Sequence, residues 1–146
     1  MLSMKAKYAL RALCALALRP EALQPARALA AEARIPEKFL ESILVDLRNA
    51  GFVQSRRGLL GGHMLARPAA GIMLGDIIRV IDGPIAPLRC ASLSAYKPCD
   101  DCEDPERCAL RDLMADVRVA MCEVLDRRSL LQLAEHSRSG RESLIE

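Results

Sequence analysis

The chain has no tryptophan, two phenylalanines, two tyrosines and two histidines in 146 residues. So small an aromatic supply, set beside abundant Ala, Leu and Arg, favours helix over sheet. It also has no run of about 18 apolar residues, the length that a bilayer-spanning helix requires. No membrane partner is therefore expected. The segment MKAKYALRALCALALRP has the basic-then-apolar order of an export leader, but Arg11 interrupts the apolar stretch and no small-residue cleavage site follows. The expected compartment is the cytoplasm, where thiols stay reduced and a cysteine cluster more often binds metal or does redox chemistry.

Against these absences stand a charge split and a cysteine cluster. Residues 1–67 carry 11 Lys/Arg against 5 Asp/Glu, while 68–146 carry 10 against 14. A basic front half suggests a module for binding a polyanion, joined to an acidic half with a different role. The length suits one domain, or a small domain with an appendage, and can bury a core without disulfides.

Periodicity predicts a first amphipathic helix over 4–18, with Tyr8, Leu10, Leu13, Cys14 and Ala17 at helical spacings. Pro25 opens a second helix to about Arg34, and Pro36 and Glu37 open a third. The third is expected to bury Phe39, Leu40, Ile43, Leu44 and Leu47, and to show Lys38, Glu41, Ser42 and Arg48 on its polar faces. Two short helices joined by a tight turn make a helix-turn-helix. FVQSRRGLLGGHMLAR then reads as a strand over 52–57, a glycine-rich turn and a strand over 63–67. That hairpin, with Arg56 and Arg57 at its tip, is a wing.

In such a fold the second helix of the pair enters the major groove of double-stranded DNA and the wing arginines reach phosphates or a narrow minor groove. Arg48 and the N-terminal lysines Lys5 and Lys7 are expected to add phosphate contacts that fix register.

Beyond the wing, a short helix is predicted over 74–81, and a long one from Cys108 with Leu110, Leu113, Met114, Val117, Met121, Val124 and Leu125 on one face. This long helix is expected to pair with its twin in a homodimer on a palindromic operator. RSLLQLAEH reads as a short last helix capped by Ser129, and the polar residues after it as a disordered tail. The expected division is a winged helix-turn-helix domain over 1–83, a cysteine-rich sensor loop over 84–108, the dimerisation and last helices over 109–135, and the tail over 136–146. The fold class is mainly α with a small β-wing.

CASLSAYKPCDDCEDPERC places Cys90, Cys99, Cys102 and Cys108 in one loop. Soft thiolates select zinc or iron–sulfur clusters over hard cations, and the loose outer spacings suit an iron–sulfur cluster better than a two-pair zinc site. Cys14 and Cys122 read as small apolar packing residues, His63 as packing in the wing, and neither His63 nor His136 as a ligand. A thiol switch or a zinc-bound sensor would keep the DNA-binding half and change only the sensor. A disulfide-exchange enzyme would need a βαβ setting that this chain lacks, so no enzyme is expected.

The order of helix, helix-turn-helix, wing and cysteine loop, with KYALRAL, IPEKFLESILVDLRNAGFVQSRRGLLGGHMLARP, LGDIIRVIDGP and CALRDLM, resembles the Rrf-two family of bacterial transcription regulators, the group containing IscR, NsrR and RirA. The resemblance extends to about Ala134. It implies a homodimeric regulator, expected to repress, whose long helix crosses to its partner and whose loop holds a 2Fe-2S or 4Fe-4S cluster that tunes DNA binding. It further implies that Pro36, Lys38, Glu41 and Ser42 face bases and that Arg57 enters the minor groove. The dimer interface is expected on Leu110, Met114, Val117 and Met121 of the apolar stripe. Ser42 and His63 stand where relatives often have Gln and Tyr. Arg111 and Lys7 occupy positions that supply a fourth ligand in many relatives. Ligation by the four cysteines, Cys90, Cys99, Cys102 and Cys108, is the resulting expectation.

Overall fold

The computed structural model describes residues 2–143. Ser3 caps the first helix, α1 (Met4–Ala17), by accepting a hydrogen bond from the Ala6 amide at 3.0 Å. Ala6, Ala9, Ala12, Leu13, Cys14, Ala15, Leu16 and Ala17 are all buried, so small side chains lie around much of the helix and let several elements approach its axis. Tyr8 and Leu10, expected on the core face, are only half-buried.

Packed on α1 are α2 (Ala26–Ala33), α3 (Glu37–Asn49), the antiparallel hairpin β1 (Val53–Arg56) and β2 (Gly62–Leu65), and α4 (Leu74–Asp82). Between α2 and α3 the chain turns on Arg34, which adopts the left-handed conformation at φ 56°, followed by Ile35 and Pro36. This is the tight turn expected of a helix-turn-helix. Both strands are shorter than the sequence suggested, because pairing runs only from Val53–Leu65 to Arg56–Gly62.

The Ile77 and Ile78 face of α4 enters the core, and the Asp82 carboxylate bonds the Ser3 amide and hydroxyl, which ties the end of α4 to the start of α1. A loop with single 3-10 turns at Arg89–Ala91 and Pro105–Arg107 carries the cysteine cluster to α5 (Ala109–Leu125). α6 (Leu130–Ser143) then returns to α1. Ser129 caps it as expected: its hydroxyl accepts from the Gln132 amide at 3.2 Å, and the Gln132 side chain accepts from the Ser129 amide at 2.9 Å.

Two further features differ from expectation. Leu130 and Ala134 of α6 are fully buried in the same core as α1 to α4, so that core is not closed by residues 1–83 alone. The polar segment expected to be a disordered tail is helical through Ser143, and 144–146 lie outside the described residues. Among the described residues no helix is long and apolar enough to cross a membrane.

Candidate nucleic-acid interface and cysteine cluster

Burial of Leu40, Ile43, Leu44 and Leu47 turns the opposite side of α3 outward. Pro36, Lys38, Glu41, Ser42, Val45 and Arg48 are all exposed there. Phe39, expected in the buried stripe, is 61% exposed and faces the Tyr8 ring at 6.3 Å. It lies one position past the edge of the arc that the core can cover.

The wing is anchored at its base. The His63 amide donates to the Gln24 carbonyl at 2.8 Å and its carbonyl accepts from the Gln24 amide at 2.9 Å. Gly62 is needed for that approach, since a Cβ there would lie 2.6 Å from the Gln24 carbonyl carbon. Ser55 Oγ and His63 Nδ1 pair at 2.7 Å, and Arg67 covers the Phe52 ring at 4.9 Å. His63 also borders a small cavity of about 120 Å³ with Glu41, Arg48 and Ser55. Burial, and then the positive charge of Arg48, hold its imidazole below the ordinary value of 6.5. Arg56 and Arg57 are exposed, but they precede the tip at which they were expected: Arg56 is the last paired residue of β1, and the hairpin turns over Gly58–Gly61.

The two N-terminal lysines separate. Lys5 is ion-paired with Asp46 at 2.5 Å, which places it beside α3 with part of its charge already answered. Lys7, about 200° farther round α1, lines a groove of about 710 Å³ with Arg11, Arg34 and Arg138 instead.

In the cysteine loop, Cys90 is buried and its sulfur lies 3.9 Å from that of Cys99, which is exposed. Two thiolates sharing one tetrahedral metal ion, with metal–sulfur bonds of about 2.3 Å, stand about 3.8 Å apart, so this pair has ligand spacing. The Cys99 thiol is held above its ordinary range, first by its hydrogen bond to Cys90 and then by the charge of Cys90, burial and the charges of Asp101 and Cys102. Cys102 and Cys108 are half-buried, and Cys108 Sγ caps α5 by accepting from the Arg111 amide at 3.4 Å. Among the described residues no group of three or more Cys, His, Asp or Glu stands close enough to hold a metal ion. The donor set therefore fits a thiolate-bound group in kind and, for Cys90 and Cys99, in spacing; Cys102 and Cys108 join it in sequence only. Arg111, an unsuitable ligand by its chemistry, bridges two parts of the loop: Nε donates to the Cys90 carbonyl at 2.9 Å and Nη1 to the Pro105 carbonyl at 3.1 Å. It ties the cysteine loop to the first turn of α5.

No residue of α5 is fully buried within the chain, although Leu125 packs against the core. Leu110, Leu113, Val117, Val119, Met121 and Val124 are exposed, while Met114 is half-buried. At its far end Asp126 receives two hydrogen bonds from Arg79 of α4, at 2.7 and 2.9 Å, and Arg79 Nη2 also reaches Cys122 Sγ at 3.7 Å. The parts played by Asp46, Arg79, Asp126 and the Arg111 guanidinium are not visible in the sequence. Each has a partner more than 20 residues away, beyond the reach of helical periodicity.

The sequence matches, over residues 2–136, the family described as "Rrf2: Iron-dependent Transcriptional regulator". A putative HTH-type transcriptional regulator, rrf2-like, of Rhodobacter capsulatus is 46% identical over 122 residues, covering 80% of this chain and 81% of that one. The fold is similar to that of CymR, the global cysteine regulator of B. subtilis, at a TM-score of 0.76 and 36% identity over 93% of this chain and 97% of that one. It is also similar to T. potens IscR, at a TM-score of 0.73 and 28% identity over 94% and 88%.

Proposed function

The chain belongs to the Rrf2 family of transcriptional regulators, and from that premise we propose that it is a homodimeric repressor whose operator binding is set by an iron–sulfur cluster on Cys90, Cys99, Cys102 and Cys108. The observation that carries the sensor half is the 3.9 Å separation of the Cys90 and Cys99 sulfurs, the spacing of two ligands on one metal. A cluster bound there supplies iron that responds to iron supply, redox state or nitric oxide. The chain's own residues pass on the consequence. Arg111 joins the Cys90 turn to α5, and Arg79 joins the other end of α5 to α4, so a shift of the loop alters how two recognition helices are spaced across a dimer.

The DNA-facing half rests on Pro36, Lys38, Glu41, Ser42 and Arg48 along one exposed side of α3, with Arg56 and Arg57 beside it on the wing. Glu41 and Ser42 suit base edges, Arg48 suits phosphate, and Arg57 suits the minor groove.

A second reading replaces the cluster with a thiol switch or a bound zinc ion; within it, the same pair of thiols and the lack of a third ligand near them among the described residues favour the switch. Purification without oxygen, followed by the visible spectrum and iron, sulfide and zinc content per chain, separates the two. Brown protein with matching iron and sulfide supports the cluster. Colourless protein with zinc or free thiols favours the second reading.

A further inference from the structure

The wing ends in a feature that its arginines do not explain. Between the last paired residues, Arg56 and Gly62, the chain closes in a four-residue turn, Gly58-Leu59-Leu60-Gly61, in which the Gly61 amide donates to the Gly58 carbonyl at 3.0 Å. Gly58 holds φ at 108°, and a Cβ on Gly61 would overlap the Arg56 carbonyl oxygen, so both glycines are required. The two corner positions between them are free to be anything polar. Turn corners usually carry Gly, Pro, Asn, Asp or Ser, yet these hold leucines that are 105% and 92% exposed, the highest values for any large apolar residue among those described.

Single exposed leucines are ordinary. Two adjacent ones at the apex of a hairpin, against the local turn chemistry, mark a place where stability yields to function. The occupant follows from what surrounds them. Arg56 and Arg57 flank the turn on one side, and the same hairpin packs on the exposed recognition helix, so the tip continues the DNA-facing surface. Minor-groove proteins frequently insert apolar side chains such as leucine between base steps and use arginine, among other polar residues, to read the groove.

Resting on the DNA-binding reading above, we propose that Leu59 and Leu60 form an apolar wedge that enters the minor groove beside each half-site and kinks the operator. Arg56 holds a phosphate at the groove edge and Arg57 lies in the groove beside the leucines as they meet the base step, so flexible pyrimidine–purine steps are favoured at positions that no side chain reads by hydrogen bonding.

The test uses the full-length protein and a duplex that it enriches from a random-sequence library, labelled at both ends for energy transfer. Wild type is expected to shorten the end-to-end distance by a kink of roughly 20–90°. The Leu59→Ser, Leu60→Ser double variant should lose the kink and about 10- to 100-fold in affinity for that duplex, the scale of a mismatched base pair, with an unchanged salt slope. The Leu59→Met, Leu60→Met variant should restore both. A straight wild-type complex, or an equal kink with the serine variant, overturns the wedge while leaving DNA binding intact. The wedge is also overturned if the serine changes alter only the sedimentation mass, which would make the tip a protein contact. A chain that enriches no duplex overturns the DNA reading, and the wedge falls with it.

Discussion

At the scale of single residues, the wing is held by a contact that a proton can disturb. His63 faces Arg48 and Glu41 from α3 and bonds Ser55 from β1, and its folded pKa is depressed by burial and by Arg48. As pH falls through about 6.5, the ordinary imidazole value, the unfolded chain binds the proton before the folded one. Stability is thus complete above that value and declines as pH drops towards the folded pKa. Urea unfolding at pH 7.5 and 5.5 should show a lower midpoint at the acid value in wild type and a smaller difference in His63→Gln. Lys5 gives a second residue-scale prediction. Because Asp46 already answers its charge, Asp46→Asn should tighten binding to all DNA sequences alike and steepen the salt dependence by about one phosphate contact. Arg57→Ala should instead weaken the enriched duplex far more than bulk DNA, and titrations at several salt concentrations distinguish these patterns. If Asp46→Asn leaves the salt slope unchanged, Lys5 does not reach phosphate.

At the scale of elements, the orientation of α5 rests on few contacts. The Arg79–Asp126 pair joins its end to α4, with Asp126 held below the ordinary carboxylate range by its hydrogen bonds to Arg79 and Arg79 pushed further up, so the arginine stays charged at every working pH. Stability from this pair is present above about pH 4, the ordinary carboxylate value, and is lost as pH falls through the depressed value. Exposure keeps it small, about 1 kcal/mol or less. Asp126→Asn should therefore flatten the acid limb of a stability profile below about pH 4 while costing no more than that amount of unfolding free energy in urea at pH 7. Gly75 lies under the same pair, where a Cβ would meet Asp126 Oδ1. Helices were legible from the sequence because their apolar spacing is local: α3 and α4 begin where Pro36 and Leu74 placed them. The return of α6 was not legible, because burial of Leu130 and Ala134 depends on α1, more than 100 residues earlier. Phe39 misled for a related reason, since periodicity gives the direction of a stripe but not how wide an arc the neighbouring helices cover. The cysteine set was legible as a composition of soft donors, whereas the role of Arg111 required knowing that Pro105 and Cys90 meet at one guanidinium.

At the scale of the whole molecule, the unbalanced feature is α5, which has no fully buried residue in its own chain although five exposed apolar side chains, Leu110, Leu113, Val117, Met121 and Val124, share one face of it. A soluble domain rarely leaves such a row uncovered, and burying each side chain against a twin would contribute about 1.5–3 kcal/mol. Two-fold pairing along Leu110, Met114, Val117 and Met121 would set the two α3 helices for half-sites about one DNA turn apart. The Val117→Asp, Met121→Asp double variant places two like charges where each copy would meet its twin. Sedimentation should show wild type as a dimer and the variant as a monomer. Since the core over α1 to α4 and α6 takes no fully buried residue from α5, far-ultraviolet circular dichroism and the cooperativity of unfolding should be nearly retained. Affinity for a duplex with two half-sites should fall by about 100-fold or more, because the second contact is no longer tethered to the first. Affinity for a single half-site should stay within a few-fold of wild type. A variant that remains dimeric would move the interface off α5, to the basic groove that Lys7 and Arg138 line or to another face.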